Sequence, residues 1–172
     1  KAALRIDRLC SIIECMNAII DNKISIFEQE IGVIDRLLEI GRLSGNVANK
    51  MMSLYLQSRA IEKEAESFHV YISRIERDVM IDPDGCLNDR LNDILRFLKA
   101  EYQAYRPLHD ELPPAAFVHR FIAKRTLRAI QAAFEHLERA RVDIIEHDCD
   151  AGGISGQGPF DNVDDLMKAL NS

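Results

Sequence analysis

The sequence predicts an all-α fold: an elongated, coiled-coil-like antiparallel hairpin packed into a four-helix bundle, followed by a short helix on a glycine-rich linker. Three observations lead there. Residues 6–40 repeat every seven positions, as IDRLCSI, IECMNAI, IDNKISI, FEQEIGV, IDRLLEI. Residues 47–79 place apolar side chains at steps that alternate four and three. No alternating strand pattern occurs, and glycine and proline are scarce, at eight and five, with four of the glycines between 152 and 158.

The first segment carries two apolar columns, Ile6, Ile13, Ile20, Phe27, Ile34 and Ile12, Ile19, Ile26, Val33, Ile40. With neighbouring columns they form an apolar arc of roughly 160° at 100° per residue. Asp7, Glu14, Asp21, Glu28 and Asp35 lie outside it. A two-stranded seam needs less, so the arc predicts an inner bundle helix touching at least two neighbours. GRLSGN ends this segment near residues 41–46. The second segment runs through Val47, Met51, Leu54, Ser58, Ile61, Ala65, Phe68, Ile72, Ile75 and Val79. It would be about 50 Å long and antiparallel to the first, making a hairpin over 3–81.

DPDG at 82–85 predicts a turn, with Pro at its second place and Gly at its fourth. The third segment, with Leu87, Leu91, Ile94, Leu98, Tyr102 and Tyr105, should end before Pro107. RPLHDELPP then reads as a loop. The fourth segment should run from about 114 to 146, with Phe117, Phe121, Leu127, Ile130, Phe134, Leu137 and Ile144 inward. The expected division is a bundle over 1–147 (second helix pair 86–147), a linker over 148–160, and an acidic amphipathic helix over 161–172.

No apolar run is long enough for a membrane span, and no signal-peptide pattern opens the chain. Cys10, Cys15, Cys86 and Cys149 form no C-x-x-C pair. Free thiols, and hence a reducing cytoplasm, are expected. From Asp143 onward seven acids face Lys168 alone, which accounts for the whole net charge of −6. The neutral remainder argues against strong overall attraction to nucleic acid.

Catalytic motifs are weak. His69, His109, Asp110 and Asp143 follow the order used by metal-dependent phosphohydrolases of the HD type, and so resemble them. The His109-Asp110 dipeptide, however, sits in a proline-rich stretch with unlike flanks. His147 and Cys149 in HDCD could join a zinc site only with ligands from elsewhere. Glu-x-x-His occurs once, at Glu66 and His69, where a di-metal bundle site needs it on two helices, and no phosphate loop or nucleophile elbow is present. The expectation is therefore no catalytic residue, no metal and no cofactor, and a non-enzymatic interaction or scaffold module. The HD-type hydrolase and a nucleic-acid binder are the alternatives.

Two features point to a partner. Arg120, Lys124 and Arg128, each four apart, with Arg125 and His119 beside them, concentrate positive charge near a helix start. Like charges at that spacing cost a few tenths of a kcal/mol per pair and oppose the helix dipole. An acidic ligand would offset both. The tail supplies a matching segment, with Val163, Leu166, Met167 and Leu170 on one stripe behind Asp161. It is expected to dock on the basic face, in its own chain or another's, or on a different protein. Homodimerisation is expected through the long hairpin. GPFDNVDDLMKALNS resembles the C-terminal ends of RelB/DinJ-type antitoxins, over about fifteen residues. That resemblance implies a tail that wraps a protein partner, although the body lacks their ribbon-helix-helix start.

Overall fold

The computed structural model describes residues 45–77 and 79–152, with Asp7, Cys10, Ser11, Ile13, Glu14, Asn17, Gly32, Val33, Ile34 and Arg36 before them. The protein is an all-α helical bundle, with no strand among the described residues. Among the described residues three long helices are traced: α1 (Gly45–Ile72), α2 (Cys86–Glu111) and α3 (Phe117–Ala151). The ten earlier positions are also helical, and Ile13 and Ile34 are fully buried.

α3 is the central element. It packs against both α1 and α2, which do not pack on one another. α1 runs parallel to α3, because His69 lies beside Asp143 while Glu76, just past the helix, meets His147. α2 runs antiparallel to it, with Asn92 near Arg141 and Tyr105 near Thr126. Burial pushes the Tyr105 phenol up to about 12, the Thr126 hydroxyl opposing this only in part. The N-terminal segment reaches α2 where Glu14 stands 3.8 Å from Arg90. The remainder of that segment, and so the pairing of the expected hairpin, lies outside the described residues.

The heptad pattern of α1 is realised side chain for side chain. Val47, Met51, Leu54, Ser58, Ile61, Ala65, Phe68 and Ile72 form its buried face. Ser58, the polar member, donates its hydroxyl to the Leu54 carbonyl at 2.9 Å, so it carries no unpaired donor into the core.

Four boundaries differ from expectation. α1 stops at Ile72, so it is about 42 Å long. Beyond it the bonds tighten to i−3, from Arg74 to Tyr71 and from Ile75 to Ile72. Ser73 also donates its hydroxyl to the Val70 carbonyl at 2.8 Å, a local bond that competes with helix continuation. α2 continues through Pro107 to Glu111. The missing N–H leaves the carbonyl of Gln103 without its helical donor, but both residues face solvent. Burial of Leu108 and Leu112 beyond the proline holds the chain helical. α3 begins at Phe117, later than expected, and extends to Ala151. Residues 148–151 are thus helix, and the helix closes where the Gly152 N–H donates to the Asp148 carbonyl at 2.8 Å. The expected linker from 153 and the helix over 161–172 lie outside the described residues.

Pro107 gives a direct test of this account. Replacing it with Ala restores one solvent-facing backbone bond and removes the helix penalty of about 3 kcal/mol. Loss of proline's constraint on the unfolded chain returns up to about 1 kcal/mol. Pro107→Ala is expected to stabilise the fold by about 2 kcal/mol in urea titration.

The junction between α1 and α2 is fastened by two carboxylates. Asp148, in the last turn of α3, accepts backbone N–H bonds from Ile81 at 2.5 Å and Asp82 at 2.8 Å. Asp82 accepts from Leu87 at 2.9 Å and Asn88 at 2.8 Å, satisfying amides at the start of α2. The DPDG turn forms as expected, with the Gly85 N–H reaching the Asp82 carbonyl at 3.2 Å and Gly85 at φ 75°.

Candidate partner-docking face

α2 is followed by Leu112, which is buried and draws the chain across the bundle end to Ala116. A turn closes there through the Ala116 N–H and the Pro113 carbonyl at 2.9 Å. α3 starts with no side-chain cap and no acid in its first turn. Its first amides and the positive end of its dipole therefore face outward without a negative charge of their own.

The basic residues gather on this end. Lys124, Arg125 and Arg128 are exposed, and Arg120 is half-buried with its guanidinium donating to the Leu112 carbonyl at 3.3 Å. Arg125 lies over the Phe121 ring, 5.1 Å from its centroid. Phe117 and Phe121, expected inward, are 74% and 60% exposed, and Val118 is 55% exposed. The reason lies in the small residues. The inward face of α3 includes Ala123, Ala129, Ala133 and Ala140, all but fully buried, with Ile122, Ile130, Leu137 and Ile144. These alanines let the helices approach closely and turn the opposite side outward. Phe117, Phe121, Lys124 and Arg128 share that outward side, at spacings of four, three and four. A wheel weighted by burial of small residues would have placed the phenylalanines with the bases.

The tail anchors Val163, Leu166, Met167 and Leu170 lie outside the described residues. The histidines divide into separate groups. His69 Nε2 lies 3.2 Å from Asp143 Oδ2, and its Nδ1 lies 3.4 Å from His136 Nδ1. His109 pairs with its neighbour Asp110 at 3.0 Å, near the far end of α2. Asp143 is about 20 residues along α3 from that level, roughly 30 Å away. The HD-type set is therefore split, with His69 and Asp143 together and His109-Asp110 apart. HDCD is the helical end of α3, with Asp148 committed to backbone amides, the His147 Nε2 2.7 Å from the Glu76 carbonyl, and Cys149 free. Among the described residues, no three His, Cys, Asp or Glu side chains are placed to hold a metal ion together. Cys10 and Cys86 are also free. The Asp84 carboxylate beside Cys86 raises that thiol above its usual range. No helix among the described residues is long and apolar enough to cross a membrane.

Compared with protein-family models, curated proteins and solved structures, the chain matches none.

Proposed function

We propose that the protein is a non-enzymatic interaction module whose outward face of α3 binds an acidic, amphipathic helical segment of another molecule. The observation that carries this reading is the exposed pair Phe117 and Phe121 among Arg120, Lys124, Arg125 and Arg128, at an uncapped helix start. Exposed aromatic rings supply apolar anchors, and arginines supply charge-assisted bonds to carboxylates. A nucleic-acid strand fits less well. The basic stretch from Arg120 to Arg128 is only about 12 Å long, and Glu135 and Glu138 follow on the same helix.

The chain's own tail reaches this face poorly. Gly152 is 32 residues along α3 from Arg120, about 48 Å. Residues 153–162 span at most about 35 Å when fully extended, short of that distance, so the proposal takes the segment from another molecule.

The test uses two labelled peptides of this sequence, residues 132–151 and residues 159–172, titrated with the full chain by fluorescence anisotropy. At least one is expected to bind, roughly tenfold more weakly once Lys124, Arg125 and Arg128 are reversed to Glu. Failure of both to bind overturns the reading.

A further inference from the structure

α1 and α3 run side by side in the same direction, and Ala65, Ala133 and Ala140 are fully buried on them. Side chains this small let two helices approach closely. His69 follows Ala65 by four residues, and His136 stands three after Ala133 and four before Ala140, so both rings flank that close contact. Their Nδ1 atoms lie 3.4 Å apart and their ring centroids 5.7 Å apart, with the planes tilted by 49°. On the other side of His69, Nε2 stands 3.2 Å from Asp143 Oδ2. Asp143 lies about two turns beyond His136, on the same side of α3.

We infer that His69 and His136 form a clamp across α1 and α3 for one divalent transition-metal ion, bound through Nδ1 of both rings and oriented by Asp143. Imidazole suits ions of the zinc, copper and nickel group. The spacing is the first argument. Imidazole nitrogens bind zinc at about 2.0–2.1 Å, so two of them at neighbouring corners of a tetrahedron lie about 3.3–3.4 Å apart. The two Nδ1 atoms already stand at that separation, and the helices need not move. The ion would sit beside the line joining the nitrogens, each lone pair turned about 35° from it, which rotation about the soft outer side-chain bond supplies.

The carboxylate is the second argument. A metal-binding histidine commonly presents its other ring nitrogen to a carboxylate, which fixes the tautomer and the ring orientation. Asp143 favours the proton on His69 Nε2 and leaves the Nδ1 lone pair open. Without metal, that lone pair accepts the Nδ1 proton of His136. With metal, His136 carries its proton on Nε2 instead, so the neutral pair neither gains nor loses a proton.

Access is the third. The His69 and Asp143 side chains are 22% and 39% exposed, and His136 is half-buried, so a hydrated ion reaches the rings. Two protein ligands leave two tetrahedral corners to water. Binding is therefore labile, with a Kd on the order of micromolar. It ties α1 to α3 and leaves the docking face, about two turns earlier on α3, untouched.

Calorimetric titration of the metal-free, untagged full chain with zinc tests this, and cobalt absorption reports the ligand geometry. One ion per chain is expected at the clamp, with a tetrahedral cobalt spectrum and no thiolate-to-cobalt charge-transfer band. His69→Ala and His136→Ala are each expected to weaken binding at least about tenfold, and Asp143→Asn about tenfold while the metal-free form melts like wild type. His136→Gln keeps most of the side-chain volume and is expected to lose binding equally, which separates ligand loss from a packing defect. His109→Ala and Cys149→Ser are expected to bind as wild type does. No saturable binding below millimolar zinc, binding that survives both histidine substitutions, or a thiolate band at the first equivalent overturns the inference.

Discussion

Phe68→Ala is expected to destabilise the bundle by about 3–5 kcal/mol, the largest effect of any single truncation proposed for this chain. Phe68 is fully buried on α1, in a core that also holds Leu54, Ile61 and Ala65. Removing the ring takes away its transfer free energy and leaves a cavity between helices whose spacing is set elsewhere by alanines. Those contacts cannot close further to fill it, so relaxation is limited. Urea denaturation monitored by circular dichroism measures the change. A loss below about 1 kcal/mol would mean that Phe68 is not at the centre of the core.

Asp148→Ala is expected to cost about 2–4 kcal/mol. It removes two charge-assisted bonds to the backbone amides of Ile81 and Asp82. The side chain is 15% exposed, so water restores only part of the loss. Asp82 then loses the fixed position from which it accepts the Leu87 and Asn88 amides, and the start of α2 should fray as well. Hydrogen exchange separates this from a general loss of stability. Amides 81, 82, 87 and 88 should lose protection first, ahead of the centre of α1. Asp148→Asn keeps an acceptor and should lose about half as much. Equal protection in wild type and Asp148→Ala would show that the junction is held by packing alone.

The two variants differ in how far they could be foreseen. Phe68 belongs to an alternation of four and three that is visible in the sequence, and every member from Val47 to Ile72 is buried as that period requires. Asp148 appeared only as part of an acidic HDCD stretch with an open ligand role. Its partners are 66 and 67 residues away, and no local pattern encodes a carboxylate that meets another segment's backbone. Arg120, Lys124, Arg125 and Arg128 were legible as a basic face because helix spacing alone groups them. Phe117, Val118 and Phe121 were not, because large apolar residues are expected inside.

The sequence alone determined the class of the fold and the inward face of α1, because helix formation and heptad burial depend on local period and apolar content. It also located the concentration of basic charge on α3. The tertiary structure decided which side of α3 turns inward, since buried Ala123, Ala129, Ala133 and Ala140 draw neighbours close and displace the larger Phe117 and Phe121 to the surface. It decided where α1 ends, through hydrogen bonds at Ser73 and the His147 contact with the Glu76 carbonyl. It also carried α2 past Pro107, because burying Leu108 and Leu112 outweighs one solvent-facing backbone bond. In each case the deciding free energy comes from residues distant in sequence or from surface removed on packing, and neither is written in a local window.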